Sequence, residues 1–329
     1  EESQIASGRT KWAAWYSAGW EAIKTLSMMA TALHFRTSES IVIAFVLVVL
    51  GKVLTSLFIL IAKKELHFEL EKEATTKVLK YAIPASAAAG FLVVINYCDQ
   101  FILTHFLSAA DFAIYSLGCL SVPPLLIFEQ SVNKVLVPQM AHEISNNHKA
   151  NALKRLRLAM VDLGLWLIPA AMGLLFFAGP ITRMLFTNKY PMAENYLQIY
   201  AFSYLVFIFP FDAWARSHGR SMWILKTMSA FSVLSLSTTL LGAYYLGAKG
   251  ALILFILSQF SMRFFWGFSV SKETKSKFTE MAPISAFLRF ALVSIILGSI
   301  TRWFCDQLTN NSLPEWLSMI LAGSVFLIF

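Results

Sequence analysis

The loops between this chain's apolar stretches alternate between rich and poor in Lys and Arg, and no other feature constrains the fold as tightly. Ten apolar stretches run at about 12–35, 39–62, 79–105, 111–137, 157–179, 193–215, 223–246, 250–270, 286–304 and 315–329. Most are close to the ~20 residues an α-helix needs to cross about 30 Å of hydrocarbon. Lipid supplies no partners for backbone N–H and C=O groups, so the spans are expected to be helices that satisfy themselves. Hydrophobic residues make up 57% of the chain, and the mean hydropathy is +0.62. The expected fold class is all-α: a polytopic membrane protein with about ten transmembrane helices.

The basic residues orient that bundle. Arg9 and Lys11 precede the first span; Lys63, Lys64, Lys72, Lys77 and Lys80 follow the second. Lys149, Lys154, Arg155 and Arg157, then Arg216, Arg220 and Lys226, then Lys272, Lys275 and Lys277 continue the rich series. The intervening loops hold Arg36 alone, none at 106–110, Arg183 with Lys189, Lys249, and Arg302. The positive-inside rule therefore puts residues 1–11, 63–80, 138–157, 216–226 and 271–285 in the cytoplasm. The net charge of +8 is accounted for by this topology and by contact with anionic membrane lipids. Nucleic acid is not needed as a partner to explain it.

Several chemistries are excluded. Cys98, Cys119 and Cys305 are odd in number and indicate neither a disulfide nor a metal framework. The chain has no HExxH, no CxxC, no Walker glycine loop and no serine elbow. No metal, cofactor, ATPase engine or enzymatic activity is expected. Glu1 lies a few residues before the first helix with no signal-peptide pattern, and the last stretch stops at Phe329 short of a full crossing, so both ends are expected to be cut. Charged breaks at 63–80 and 271–285 divide the spans into two, six and two.

Ionisable residues at membrane depth are costly and mark functional candidates. In the first span Ser17, Glu21, Lys24, Met28 and Thr31 recur at helical spacing, so Glu21 and Lys24 share a polar stripe. That stripe either lines a water-filled cavity or holds a self-contained i, i+3 ion pair; both readings stand. Lys52 opens a shorter stripe with Thr55 and Ser56. Asn96, Asp99 and Gln100 occupy adjoining faces of the third span, making Asp99 either a proton- or cation-binding carboxylate or a clamp on a neighbouring helix. Glu129, Gln130, Asn133 and Lys134 read as an interfacial network, and Asp162 and Asp212 as residues near the cytoplasmic ends of their spans. Arg263 lies deeper than the other late cations and either meets an anionic headgroup or snorkels. Pro123 and Pro124 remove backbone donors within the fourth span and mark a candidate hinge. Ser229, Ser232, Ser235, Thr239 and Gly242 suit close helix packing better than a pore lining. Trp12, Trp15, Trp166, Trp214, Trp223, Trp303 and Trp316 read as interfacial anchors.

From residue 79 onward the order of residues resembles the Wzx-like polysaccharide flippases of the multidrug/oligosaccharidyl-lipid/polysaccharide (MOP) exporter superfamily. The matching elements are Pro84, Asp99, Ala113-Ile114-Tyr115, Pro138, Pro169, Ala178-Gly179-Pro180-Ile181, Leu185-Phe186, Lys189-Tyr190, Ala193, and Gly247-Ala248-Lys249-Gly250-Ala251. The similarity covers about 79–270 well and extends to 1–62.

The resemblance implies a MOP/MATE-like pair of six-helix lobes around a central cavity, with part of the first lobe missing here. Residues 1–62 would be the last two helices of that lobe, 63–78 a cytoplasmic connector, 79–270 the complete second lobe and 286–329 two additional helices. It implies a bacterial cytoplasmic (inner) membrane protein that flips undecaprenyl-pyrophosphate-linked oligosaccharide outward by alternating access, coupled to H+ or Na+. On that template Lys24, Lys52 and Arg263 would be cavity cations meeting the pyrophosphate, and Glu21 and Asp99 the ion-coupling carboxylates. Two departures stand out. Ser116, Leu117 and Gly118 follow Tyr115 where murein-precursor flippases carry an Arg, which argues against that substrate. Gln100 follows Asp99 where many relatives have a basic residue. The alternatives are a drug or metabolite cation antiporter of the same superfamily, which calls for an acidic cavity, and a membrane glycan polymerase or ligase, which calls for a large outward loop.

Overall fold

A computed structural model describes residues 10–35, 37–62, 72–186, 189–310, 317–318 and 323. Among them the regular elements are helical: α1 Thr10–Phe35, α2 Ser38–Ala62, α3 Lys72–Phe106, α4 Ala109–Gly118, α5 Pro123–Ser145, α6 Lys149–Phe186 and α7 Ala193–Tyr200. A 3₁₀ helix, Ala201–Ile208, follows, then α8 Asp212–Ser217, α9 Ser221–Thr274, α10 Phe278–Met281 and α11 Ile284–Asn310. Six of the described helical segments are long and apolar enough to cross a membrane, and α4 with α5, bent by 55°, makes a seventh. The first expected span forms α1 but does not reach that apolarity, with Glu21, Lys24 and several Ser and Thr residues within it. Most of the connector 63–78, the flank 1–9 and most of the last span lie outside the described residues.

The chain divides into two compact units, Glu1–Thr75 and Thr76–Phe329. In the first, α1 and α2 pack along each other. The Tyr16 hydroxyl donates to the Lys52 carbonyl at 3.2 Å and lies within hydrogen-bond distance of Thr55 Oγ1 (3.0 Å) and Ser56 Oγ (2.8 Å). Gly51 leaves room for the Trp20 ring.

In the second unit, α9 is two helical arms that fold back at Gly247, whose φ of 69° and ψ of −163° are open to glycine and costly for other residues. Positions equidistant from this fold face each other: Gly242 packs on Gly250 and Ala251, and Ser235 Oγ meets Ser258 Oγ at 2.9 Å. The two expected spans 223–246 and 250–270 are therefore an antiparallel pair. The small-residue stripe is their seam, with Ser232, Ser235 and Thr239 buried in it.

The basic loops of this unit gather at one end. Arg157 donates to the Glu280 carbonyl at 2.6 Å, Arg220 grips Glu273 with bonds of 2.7 and 2.9 Å, and Arg155 bonds Glu143. These contacts tie the segments 138–157, 216–226 and 271–285 together, as one face of a membrane requires. The core beside them holds Met140, Leu156, Met160, Phe211, Trp214 and Trp266. Trp214 was expected at the interface, but only 2% of it is exposed; its ring lies tilted against that of His218 at the end of α8, inside the protein. Trp15, Trp166 and Trp303 are exposed. Elsewhere long apolar side chains such as Leu234, Tyr244, Leu257 and Phe268 point outward, the pattern of a bundle whose solvent is lipid.

Candidate functional site

Three interruptions of helical geometry converge in the second unit. The first lies between α4 and α5, where the chain breaks at residues 119–122 and bends. Pro123 and Pro124 occupy the first turn of α5, where a missing N–H costs little because those donors have no partner within the helix. A residue before proline is driven from helical geometry, and Val122 is extended, with φ −98° and ψ 97°. The break thus falls just ahead of the prolines. The second is the 3₁₀ helix, eight residues long, where runs beyond 3–4 are uncommon. The third is its end at Phe209, which precedes Pro210 and is non-helical at φ −110°, ψ 76°. Non-helical backbone at membrane depth survives only where protein or a cavity satisfies it. Here Tyr204 of the 3₁₀ helix does so, its hydroxyl accepting from the Val122 N–H at 2.7 Å.

These segments, α3 and α9 line an open cavity of about 330 Å³. Asp99 lies in its wall, on α3, seven residues before the helix ends at Phe106. Only 1% of Asp99 is exposed. Its Oδ2 accepts from the Tyr115 hydroxyl of α4, and its Oδ1, fully buried, has no hydrogen-bond partner. Tyr200, Tyr204, Phe207 and Phe255 supply aromatic wall; Asn96, Gln100, Ser116, Ser203 and Gln259 supply amides and hydroxyls. Gln259 is fixed by donating to the Ile95 carbonyl at 3.1 Å. Behind Asp99, Cys98 Sγ sits 3.1 Å from Ser235 Oγ, which continues to Ser258. Gly118 lets α4 approach α7: a Cβ there would meet the Tyr196 side chain and come within 2.7 Å of the Ala193 carbonyl. Tyr196 then packs edge-on against Tyr115.

Arg263 has a carboxylate partner. Its guanidinium contacts Asp212 Oδ1 at 2.7 Å, and the two side chains are only 12% and 11% exposed. Asp212 Oδ2 also bonds Arg216 Nε at 2.9 Å. Glu129 lies in the field of this cluster and accepts from Asn133 at 2.6 Å. The pairing has a simple cause. Desolvating a guanidinium is costly unless a carboxylate meets it, and α8 delivers Asp212 to that place.

In the first unit, Glu21 and Lys24 form an i, i+3 ion pair with each other, the self-contained alternative. Lys24 remains 30% exposed on its side chain and Glu21 56%. Tyr16 engages Thr55, Ser56 and the Lys52 carbonyl across the seam of α1 and α2, bonds in which the Lys52 ammonium takes no part. The structure thus joins Glu21 to Lys24, Asp99 to Tyr115, and Arg263 to Asp212, as separate groups.

Sequence reasoning missed Tyr115 as the partner of Asp99, and Tyr200, Tyr204 and Gln259 as cavity walls. A signal for the first was present: Asp99 and Tyr115 are equidistant from Leu107, at the turn between α3 and α4, so an antiparallel pair sets them opposite. The second has no sequence signal, because it depends on an unusual 3₁₀ segment.

Comparison with known proteins adds two findings. The model of a family described as "Polysaccharide biosynthesis protein" matches residues 18–194. No curated protein sequence matches. Among solved structures, one described as "Lipid II flippase MurJ, inward closed conformation" aligns with a TM-score of 0.67 at 17% identity, over 94% of this chain and 65% of that one. The likeness is one of fold, and the chain spans less than two thirds of that structure's length.

Proposed function

The chain belongs to the polysaccharide biosynthesis protein family, whose model covers more than half of it, and from that premise we propose that it works in a flippase that carries lipid-linked oligosaccharide across the bacterial inner membrane. The MOP-type resemblance of its residue order is borne out by that family match together with the shared flippase fold. One observation carries the functional reading: a polysaccharide-biosynthesis chain has a polytopic helical fold of the kind a lipid II flippase uses.

In this reading the sugar and pyrophosphate of an undecaprenyl-linked precursor pass outward by alternating access while the lipid stays in the bilayer. Residues 1–62 serve as two helices of one lobe, 79–270 as the other lobe, and 286–329 as accessory helices. The break at 119–122 gives the second lobe a place to bend, because helical geometry stops after the Cys119 N–H to Tyr115 carbonyl bond and the Val122 N–H turns to the Tyr204 hydroxyl instead of a helix carbonyl. Lys24 and Lys52 are the cations offered to pyrophosphate. Asp99, buried with one free oxygen, is the group that H+ or Na+ would neutralise during the cycle; Glu21, already paired with Lys24, is the secondary candidate. The protein acts as a transporter and makes or breaks no covalent bond.

Complementation examines this reading: the full gene is expressed in a strain lacking its oligosaccharide flippase, and surface glycan is scored. Restored glycan is expected, with loss when Lys24 and Lys52 are both neutralised. Intact export in that double variant would remove the two lysines from the substrate path. A second reading, a cation antiporter, is favoured by the carboxylate and aromatic walls of the Asp99 cavity. Restored drug resistance without restored glycan would establish it instead.

A further inference from the structure

The geometry points to the Asp99 cavity as a sugar-binding subsite that holds one or two uncharged pyranose rings of the transported glycan. The inference rests on the flippase reading and assigns to the cavity a role beyond ion coupling. Its volume of about 330 Å³ lies within the ~300–1,000 Å³ range of small-ligand pockets. That is many times the about 30 Å³ that one water occupies in the liquid, so an ion alone would leave it mostly empty.

The lining has the chemistry of a polyol site. Asp99 lies in the wall, its Oδ1 buried without a hydrogen-bond partner and its Oδ2 held by Tyr115. Gln259, held by the Ile95 carbonyl, and Gln100, half-buried on the turn beside Asp99, supply amide groups in fixed and adjustable positions. Tyr200 and Tyr204 meet edge to face with ring centroids 5.8 Å apart, forming an aromatic wall suited to the apolar C–H face of a pyranose ring. Donors and acceptors in this number suit a ligand with several hydroxyls. A lipophilic cation needs one counter-charge and aromatic surface, and would leave the amides unsatisfied.

The pyrophosphate has no place here. An acidic side chain sits at the wall, and no Lys or Arg is among the residues lining the cavity. The cavity therefore contributes to sugar specificity, while the lipid-pyrophosphate is recognised elsewhere.

The test uses saturation-transfer NMR on the full-length protein in nanodiscs, a method that reads weak binding. The probes are the methyl glycosides of glucose, galactose, mannose, rhamnose and N-acetylglucosamine, with tetraethylammonium as the competing cation. At least one glycoside should receive saturation from the protein and keep it when tetraethylammonium is added. Gln100→Ala should weaken its binding about threefold to tenfold, the loss of one hydrogen bond. Ser203→Met, which fills the cavity from the 3₁₀ helix, should abolish it. Ser203→Met protein must elute as the wild type does, and Gln100→Ala guards against misfolding. Absence of transfer from every glycoside, transfer unchanged in both variants, or displacement by the cation would overturn the inference. Complementation separates the two readings. Restored surface glycan with no glycoside binding rejects the subsite alone, whereas glycoside binding without restored glycan rejects the flippase reading and leaves a sugar site.

Discussion

The Asp212–Arg263 pair gives the sharpest quantitative prediction, because the same two residues were open to a transport role and a structural one. Asp212 holds Arg263 at 2.7 Å with both side chains nearly buried, and Arg216, whose side chain is 45% exposed, at 2.9 Å. Arg263 Nε already lacks a partner. Asp212→Ala leaves the buried guanidinium uncompensated, and breaking a buried pair from one side costs about 3–5 kcal/mol. Arg263→Met removes the charge and keeps an aliphatic stem, and Asp212 retains Arg216, so the loss should be roughly 1–3 kcal/mol. Arg216→Ala breaks only an exposed contact and should cost at most about 1 kcal/mol. The double variant Asp212→Ala/Arg263→Met should recover about 1–3 kcal/mol relative to the sum of the singles. Unfolding titrations with SDS from dodecyl maltoside micelles measure these differences, and cell-surface glycan measures function in parallel. The reasoning fails if Asp212→Ala costs no more than Arg216→Ala. It also fails if the double variant folds and reaches the membrane at normal abundance yet exports no glycan, since Arg263 would then be contacting substrate.

Other consequences follow from single positions. Gly247→Ala should destabilise by about 1–3 kcal/mol through backbone conformation alone, since no atom lies within 4 Å of the added Cβ; thermal unfolding of the purified protein measures it, and Gly90→Ala, equally unobstructed and inside α3, serves as the control. Tyr204→Phe deprives the Val122 N–H of its acceptor and should cost about 1–3 kcal/mol, with faster amide exchange confined to residues 119–124 by mass spectrometry; uniform loss across the bundle would argue against a local tether. Asp99→Asn keeps the size of the side chain and should lower glycan export while the protein remains folded, and unchanged export over a range of external pH and Na+ would remove Asp99 from the coupling.

Much of the fold was legible before any coordinates. Bilayer thickness sets helix length and lipid forbids open backbone, so apolar runs of about 20 residues could be little else. The alternation of Lys and Arg anticipated which loops share a face, and Arg157–Glu280 and Arg220–Glu273 join those loops directly. Pro123 and Pro124 located the broken span to within a residue or two, since proline acts on its local backbone. The failures are those of pairing. The partner of Arg263 was not legible because Asp212 is 51 residues away on another element, and one-dimensional spacing carries no trace of such a meeting. Trp214 carries the residue type of an interfacial anchor, but tertiary packing buries it. The Asp99 cavity depends on a 3₁₀ segment whose sequence, Ala201–Ile208, is as apolar as any helix around it.

Reconstitution tests the central claim most directly. The full-length protein is placed in liposomes containing undecaprenyl-pyrophosphate-linked oligosaccharide in both leaflets, and a membrane-impermeant oxidant is added outside. Transport predicts that oxidation of the sugar runs to completion, because inner-leaflet glycan is continually brought out. Oxidation that stops at the outer-leaflet fraction, as in protein-free liposomes, with an ion gradient of either H+ or Na+ imposed, would contradict it.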